Sequence, residues 1–346
     1  MLLRFIRTTL ATASLAAALA LPMAAQAGPY SSIYVFGDSL SDTGNLALTS
    51  PGGVLPQFGG FQGPYYSGPF QQLSNGPVWV NHLAAGLGLP ATQALPFLVG
   101  GNNYAFAGAR TDASFSVPQF IPPGMHLQLG MWNFGGAAFG LSPTPAHAVA
   151  DPAALYVVIG GGNDMRDARS APGATQASID VAADIAVANL AYTVGALANL
   201  GAKNVLISTL PDLGMTPEAI GEGLVTLSSA ASAAFNARVA QILALEGVFA
   251  GLDVDLMDMA GALQPVVADP DSFGITNTTL PCAGFIGSAG TACSESIFSD
   301  ILHPSARMHE LIAQEALEAL GIPEPESLAL VALALLAVVA TTRRRA

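Results

Sequence analysis

Four short apolar runs punctuate the chain, and each stops at a glycine or a polar residue. They span 33–36 before Gly37, 155–159 before Gly160-Gly161-Gly162-Asn163-Asp164, 205–209 before Pro211-Asp212, and 254–257 before Asp258. Runs of this length without alternation fit parallel strands buried on both faces. Between them the apolar spacing is helical: 179–200 is alanine-rich, 219–246 follows the third run, and 305–320 closes the region. Strands alternating with helices predict right-handed βαβ crossovers and a three-layer α/β/α sandwich with a central parallel sheet. Ligands of such sheets bind beyond the carboxyl ends of the strands. The turns carrying Ser39 and Asn163 both follow strands, so topology alone sends them to one edge.

Two stretches break the pattern. Residues 45–75 and 110–145 are rich in glycine, proline and aromatics, as in Gly59-Gly60-Phe61-Gln62-Gly63-Pro64-Tyr65-Tyr66 and Pro118-Gln119-Phe120-Ile121-Pro122-Pro123-Gly124. They read as long loops, either substrate walls at the ligand edge or plain surface connections.

The two ends carry their own signals. Residues 1–27 combine basic Arg4 and Arg7, an apolar stretch over 10–21 and a small-residue site, Ala25-Gln26-Ala27. This is the layout of an export signal peptide, with an uncleaved anchor as the alternative. At the other end Pro323-Glu324-Pro325 precedes an apolar run over 328–340 and then Arg343-Arg344-Arg345. That run reaches about 20 Å as a helix, short of the ~30 Å hydrocarbon core, although arginines snorkel. The tripartite tail over 323–346 resembles the PEP-CTERM sorting signal, which implies export machinery and an exosortase-type processing enzyme as partners. A plain membrane anchor is the alternative. Residues 28–322 remain as one domain. The expected location is beyond the inner membrane: periplasmic, cell-surface or secreted, with a transient C-terminal anchor.

The formal net charge is −13, and Arg4, Arg7 and the three terminal arginines all lie in the ends. The body is therefore more acidic still, which argues against nucleic acid as a partner. Charged residues make up only 10% and hydrophobic ones 51%, which excludes a disordered chain. The two cysteines, Cys282 and Cys293, would meet an oxidising compartment and close a short loop running towards Asp300 and His303. Two free thiols are the alternative. Five scattered histidines and two cysteines give no metal site.

The chemistry lies in the polar turns. Ser39, in Gly37-Asp38-Ser39-Leu40, sits where a strand stops and a helix is expected to begin, facing free N–H groups. A serine nucleophile needs a base, a group to orient that base, and donors for the oxyanion. His303 is a candidate base, and Asp300 a candidate orienter of its ring. Asn163 offers a side-chain amide and Gly108 a backbone N–H. Each also has a plain reading: a helix cap with a surface histidine, a turn after a strand, a conformational glycine.

Together, Gly37-Asp38-Ser39-Leu40, Gly108, Gly161-Gly162-Asn163-Asp164 and Asp300-Ile301-Leu302-His303 resemble the GDSL, or SGNH, hydrolase family in order and spacing. The blocks Ser74-Asn75-Gly76-Pro77-Val78-Trp79 and Pro211-Asp212-Leu213-Gly214 resemble its secreted branch. The resemblance covers about 32–320 and implies a flavodoxin-like sandwich and ester hydrolysis through an acyl-enzyme, with no cofactor or metal. It implies Ser39, His303 and Asp300 as the triad, and Ser39, Gly108 and Asn163 as the oxyanion donors. Asp38 and Asp164 are expected to hold turns, and His309 to be structural. His82, His126 and His147 show no partners in the sequence. Arg110 either greets an anionic substrate or makes a structural ion pair. An esterase or lipase is the leading expectation, the aromatic loops favouring lipidic or aryl esters. The alternatives are a deacetylase of extracellular polysaccharide and a non-catalytic surface protein on the same fold.

Overall fold

Branched aliphatic residues fill the strand runs, and in the computed structural model each run is a parallel strand. The structure describes residues 28–50, 70–115, 122–141, 144–285 and 287–322. The expected signal peptide (1–27), the tail (323–346) and much of the aromatic loop sequence (51–69 and 116–121) lie outside the described residues. In chain order the elements are β1 Ile33–Gly37, α1 Asn45–Thr49, α2 Trp79–Gly86, α3 Met125–Phe134, β2 Leu155–Ile159, α4 Gly162–Ser170, α5 Gln176–Leu200 and β3 Asn204–Ser208. There follow α6 Pro217–Glu222, α7 Val225–Ala244, β4 Asp253–Met257, α8 Met259–Ala268, β5 Asn277–Pro281, β6 Ser296–Phe298 and α9 Ala306–Ala319.

The central sheet has the order β1-β2-β3-β4, all parallel. Outside β1, residues 102–106 run alongside it. Val35 N–H donates to Asn102 O at 3.1 Å, Tyr104 N–H to Val35 O at 2.7 Å, and Phe106 N–H to Gly37 O at 3.1 Å. The bridge is parallel, so the second sheet segment in sequence lies outside the first, as in flavodoxin-like sheets. Successive side chains point to opposite faces. Phe36, Tyr156, Val158, Val205 and Ile207 pack against α3, α5 and α7. Ile33, Val35, Leu155, Val157 and Leu206 pack against α2 and α9. Two apolar cores on the two faces make the three layers. Helix α5 is long and apolar enough to cross a membrane, but its buried stripe, Ile179, Ala183, Ala186, Leu190 and Leu197, belongs to the first core.

Two expectations change, and one pair of strands goes unread in the sequence. The single helix expected over 219–246 is two, α6 and α7, broken at Gly223, whose φ of 70° suits glycine. The segment 110–145 is not all loop: α3 lies within it, between Gly124 and a Gly135 at φ 80°. Its bounding glycines and prolines mask it as loop sequence. A small parallel pair, β5 with β6, has no signal in the largely polar run that forms it.

A buried glutamine ends β1. Gln128 is fully buried on α3. Its Oε1 accepts the Gly37 N–H at 2.8 Å, and its Nε2 donates to Gly37 O at 2.8 Å and Pro123 O at 3.0 Å. It thus completes the strand just before Ser39. Gln128→Leu would leave the Gly37 N–H and Pro123 O unpaired in the interior, at about 1–3 kcal/mol each. We expect a loss of about 2–4 kcal/mol in urea unfolding; a loss below about 0.5 kcal/mol would contradict this role.

Candidate active site

The turn after β1 is a single helical turn, with Ser41 and Asp42 N–H groups donating to Asp38 O at 3.1 and 3.0 Å. Helix α1 begins only at Asn45, so Ser39 does not sit at a helix N-terminus, and that expectation is corrected. The turn is held by carboxylates instead. Asp38 Oδ1 accepts the Leu40 N–H at 3.1 Å. Buried Asp42 accepts from the N–H groups of Gly44 (2.7 Å), Asn45 (2.6 Å), Leu46 (3.1 Å) and Ala107 (2.8 Å). Asp42 thereby ties the Ser39 turn to the Gly108 segment, a role the sequence reading missed. Its signal was an acidic residue just ahead of an Asn-led helix.

The loop after β6 brings the other half. Asp300 Oδ1 accepts the N–H groups of Leu302 (2.7 Å) and His303 (2.6 Å), folding the carboxylate back over its own loop. Asp300 Oδ2 lies 2.7 Å from His303 Nδ1. A carboxylate paired this way accepts, so Nδ1 carries the ring hydrogen. His303 Nε2 is then the acceptor, 2.9 Å from Ser39 Oγ. Ser39, His303 and Asp300 are 7%, 4% and 1% exposed as residues, so the contacts between them are largely buried. Cys282 and Cys293 are joined. Cys282 N–H donates to Phe298 O at 3.0 Å, so the bridge abuts the strand that launches this loop.

The block 74–79 fastens the two halves together. Ser74 Oγ donates to Pro304 O at 3.0 Å, and Asn75 Oδ1 accepts the Ala306 N–H at 2.9 Å. Trp79 N–H donates to His309 Nδ1, and Trp79 Nε1–H to Ser41 Oγ, both at 3.2 Å. A Cβ on Gly76 would come within 2.6 Å of the Ala306 Cβ. His309 is thus a fully buried acceptor; burial pushes its pKa down to about 3, aided by the charges of His303 and His82.

Asn163 stands on the first turn of α4 after Gly161, where a φ of 108° and a Cβ that would come within 2.3 Å of the Phe235 ring admit only glycine. Its Nδ2 donates to Ala109 O at 3.0 Å and its Oδ1 accepts from Arg166 Nη1 at 3.0 Å. The second Nδ2 hydrogen makes no bond among the described residues. Asn163, Ser39 and His303 line one cavity of about 670 Å³. The N–H groups of Ser39 and Gly108 carry no hydrogen bond among the described residues. Gly108, at φ 84°, does not line this cavity, but its neighbour Ala109 contacts Asn163. Beyond the polar end the cavity walls are mostly apolar, including Leu213, Met215, Leu263, Val267, Ile297 and Met308.

Other candidates find structural places. Arg110 makes a two-pronged pair with Asp167, both bonds 2.9 Å, and donates to Gly108 O at 2.7 Å. Asp164 accepts from the Thr111 hydroxyl (2.8 Å) and N–H (3.1 Å), pinning the segment after Gly108. Two histidines without partners in the sequence have them here: His126 Nε2 meets Asn189 O at 3.1 Å, and His147 stacks on Trp132. His82 Nε2 is buried without a partner among the described residues. No group of three or more metal-ligating side chains occurs among the described residues.

The family model described as GDSL-like Lipase/Acylhydrolase matches residues 33–316. An uncharacterized protein of the trpE-trpG intergenic region of Pseudomonas putida is 32% identical over 355 residues, 92% of this chain and 52% of that protein. Esterase EstA of Pseudomonas aeruginosa is 29% identical, over 93% of this chain and 52% of its own length. The chain spans about half the length of these two relatives. A GDSL esterase/lipase of Arabidopsis thaliana is 26% identical, over 83% of this chain and 86% of its own. Among solved structures, Axe2, an acetylxylan esterase from Geobacillus stearothermophilus, aligns at a TM-score of 0.43 and 14% identity, over 86% of this chain and 97% of that one.

Burial pushes the Asp38 carboxyl up from its ordinary 3.8 to about 6, against the pull of the Leu40 N–H and the charges of His303 and Arg166. A folded-state value above the unfolded one means that the folded protein holds more protons between about pH 4 and 6. The group's contribution to stability is full below pH 4 and is lost as pH rises through 6. Asp38→Asn, which keeps the acceptor and removes the charge, should therefore gain on the parent protein by about 1–3 kcal/mol between pH 4 and pH 7. Urea midpoints at the two pH values measure it; a pH-independent difference would contradict it.

Proposed function

The chain belongs to the GDSL-like Lipase/Acylhydrolase family, and from that premise we propose that it hydrolyses carboxylic esters through an acyl-enzyme on Ser39. The observation that carries this reading is the chain of contacts Asp300–His303–Ser39, at 2.7 and 2.9 Å, opening into a cavity. His303 Nε2 takes the Ser39 proton as Oγ attacks the ester carbonyl, and Asp300 stabilises the imidazolium that forms. The Asn163 amide and the N–H groups of Ser39 and Gly108 receive the oxyanion. The imidazolium then protonates the leaving alcohol, and water deprotonated by the same ring hydrolyses the acyl-enzyme, restoring Ser39. No cofactor enters this scheme.

The mostly apolar cavity wall supports an ester with an apolar acyl or aryl group over an acetylated sugar, whose hydroxyls would lose hydration there. The proposal includes export to the periplasm, the cell surface or the medium. It rests on the signal-like and PEP-CTERM-like sequences of the two ends, with an exosortase-type enzyme processing the tail. The Cys282–Cys293 bridge supports it, because disulfides persist in oxidising compartments.

Ser39→Ala should lower kcat/KM for p-nitrophenyl esters by about 10⁴-fold or more with little change in Tm. Retained hydrolysis would remove the serine mechanism. Across p-nitrophenyl esters from acetyl to palmitoyl, with acetylated xylan and phosphatidylcholine alongside, we expect kcat/KM to peak at an acyl chain longer than acetyl. A maximum on acetylated xylan would assign the protein to polysaccharide deacetylation instead.

A further inference from the structure

Beside the Asn163 amide lies a partly buried cluster of charges, its Arg166 also lining the cavity, that the steps above do not use. Arg166, one turn along α4 from Asn163, donates Nη1 to Asn163 Oδ1 at 3.0 Å. Its Nε donates to Glu218 Oε2 at 2.8 Å, and its Nη2 donates to Glu218 Oε1. Arg169, a further turn along, donates to the same Glu218 carboxylate at 2.5 Å and to Glu222 at 2.7 Å. The side chains of Arg169 and Glu218 are 2% and 9% exposed. Burial works to raise the Glu218 pKa, but the bond from Arg166 and the charges of Arg166 and Arg169 hold it below the ordinary carboxylate range. Glu218 remains an anion and keeps both guanidinium groups in place.

Two physical consequences follow. A guanidinium has only donors, so the Asn163 atom facing it must be the oxygen. Ala109 O, which accepts from Nδ2 at 3.0 Å, selects the same flip, and the guanidinium holds the oxygen end so that Nδ2, the donor, stays turned away from Arg166. With the opposite flip, Asn163 would present a carbonyl oxygen to a developing oxyanion, which is repulsive. Glu218 also reaches the other half of the site: its backbone N–H donates to Ile301 O at 2.8 Å, between Asp300 and His303. One carboxylate-bearing residue therefore touches both the arm that holds the oxyanion donor and the loop that holds the base.

We propose that Arg166, clamped by Glu218, is a positioning residue that sets the Asn163 amide as an oxyanion donor. This rests on the acyl-transfer reading of the site. It gives the Arg166–Glu218 pair a task in the reaction beyond the local ion pairing that its geometry alone suggests. Arg169 stays on Glu218 when Arg166 is replaced, so the carboxylate does not become an unpaired buried charge.

The test is a double-mutant cycle on the full chain with p-nitrophenyl butyrate. Arg166→Met should lower kcat by about 10- to 100-fold with KM nearly unchanged, as when one oxyanion donor is misplaced. In an Asn163→Ala background the same substitution should cost less than about threefold, because the amide it orients is gone. Arg166→Lys, which retains one donor for Asn163 Oδ1, should fall between the parent and Arg166→Met. An equal loss in both backgrounds, or no loss of kcat in Arg166→Met, would overturn the proposal. If Arg166→Met does not fold, Arg166→Lys carries the same cycle. A readout free of catalysis is the pair of Asn163 side-chain amide ¹⁵N–¹H peaks, identified by their loss in Asn163→Ala. Arg166→Met should shift and broaden them. Unmoved peaks would sink the orientation whether or not any ester is hydrolysed, whereas an inactive parent protein with peaks that respond would count against acyl transfer alone.

Discussion

The contact between His303 Nε2 and Ser39 Oγ joins residues 264 positions apart, and the proposed acyl transfer has no proton acceptor without it. One hydrogen bond contributes about 0.5–1.5 kcal/mol net, too little to hold two distant segments in register. The work is done around it. Ser74, Asn75 and Trp79 bond to Pro304, Ala306, His309 and Ser41, so one short block grips both the nucleophile turn and the start of α9. Trp79 is fully buried, and α2 and α9 share one apolar core against the sheet. The sheet edge supplies rough proximity; the block 74–79 and the Asp300 turn supply the last few ångströms.

The parts of the fold written in long-period patterns were legible. Four apolar runs became four parallel strands because both faces of each had to be covered, and covering them required helices. What failed to show were elements whose sequence marks are shared with loops. Helix α3 hides between Gly124 and Gly135, and the break between α6 and α7 rests on the φ of Gly223. A glycine's capacity to stop a helix depends on whether the chain has somewhere else to go, and no local pattern encodes that. Residues 102–106 pair with β1 for a similar reason: their hydrogen bonds are set by the exposed edge of β1.

The same division runs through the site. Residues in direct line with the proposed chemistry sit in short motifs, and the structure brings Ser39, His303 and Asn163 to one cavity, with Asp300 behind His303. The supporting residues do not share those motifs. Gln128 completes β1 from 91 positions away, Asp42 reaches Ala107 across 65, and Glu218 meets Arg166 across 52. Each is an ordinary polar residue whose burial is decided by tertiary packing. Only the requirement that buried polar groups find partners identifies them.

That requirement also explains why an acidic chain concentrates arginines here. Of its few cations, Arg110 bonds to Gly108 O and Arg166 to Asn163, both in the proposed oxyanion segment, while Arg169 holds the Glu218 carboxylate that clamps Arg166. Each is matched by a carboxylate, Asp167, Glu218 or Glu222, so the local excess of charge is small. A free cation would bind the oxyanion without fixing anything else. A cation locked to a carboxylate and a carbonyl has its direction set before the substrate arrives, so no reorganisation is needed as negative charge develops. On the proposed reading, paired arginines beside the oxyanion segment trade net attraction for orientation, which acyl transfer requires.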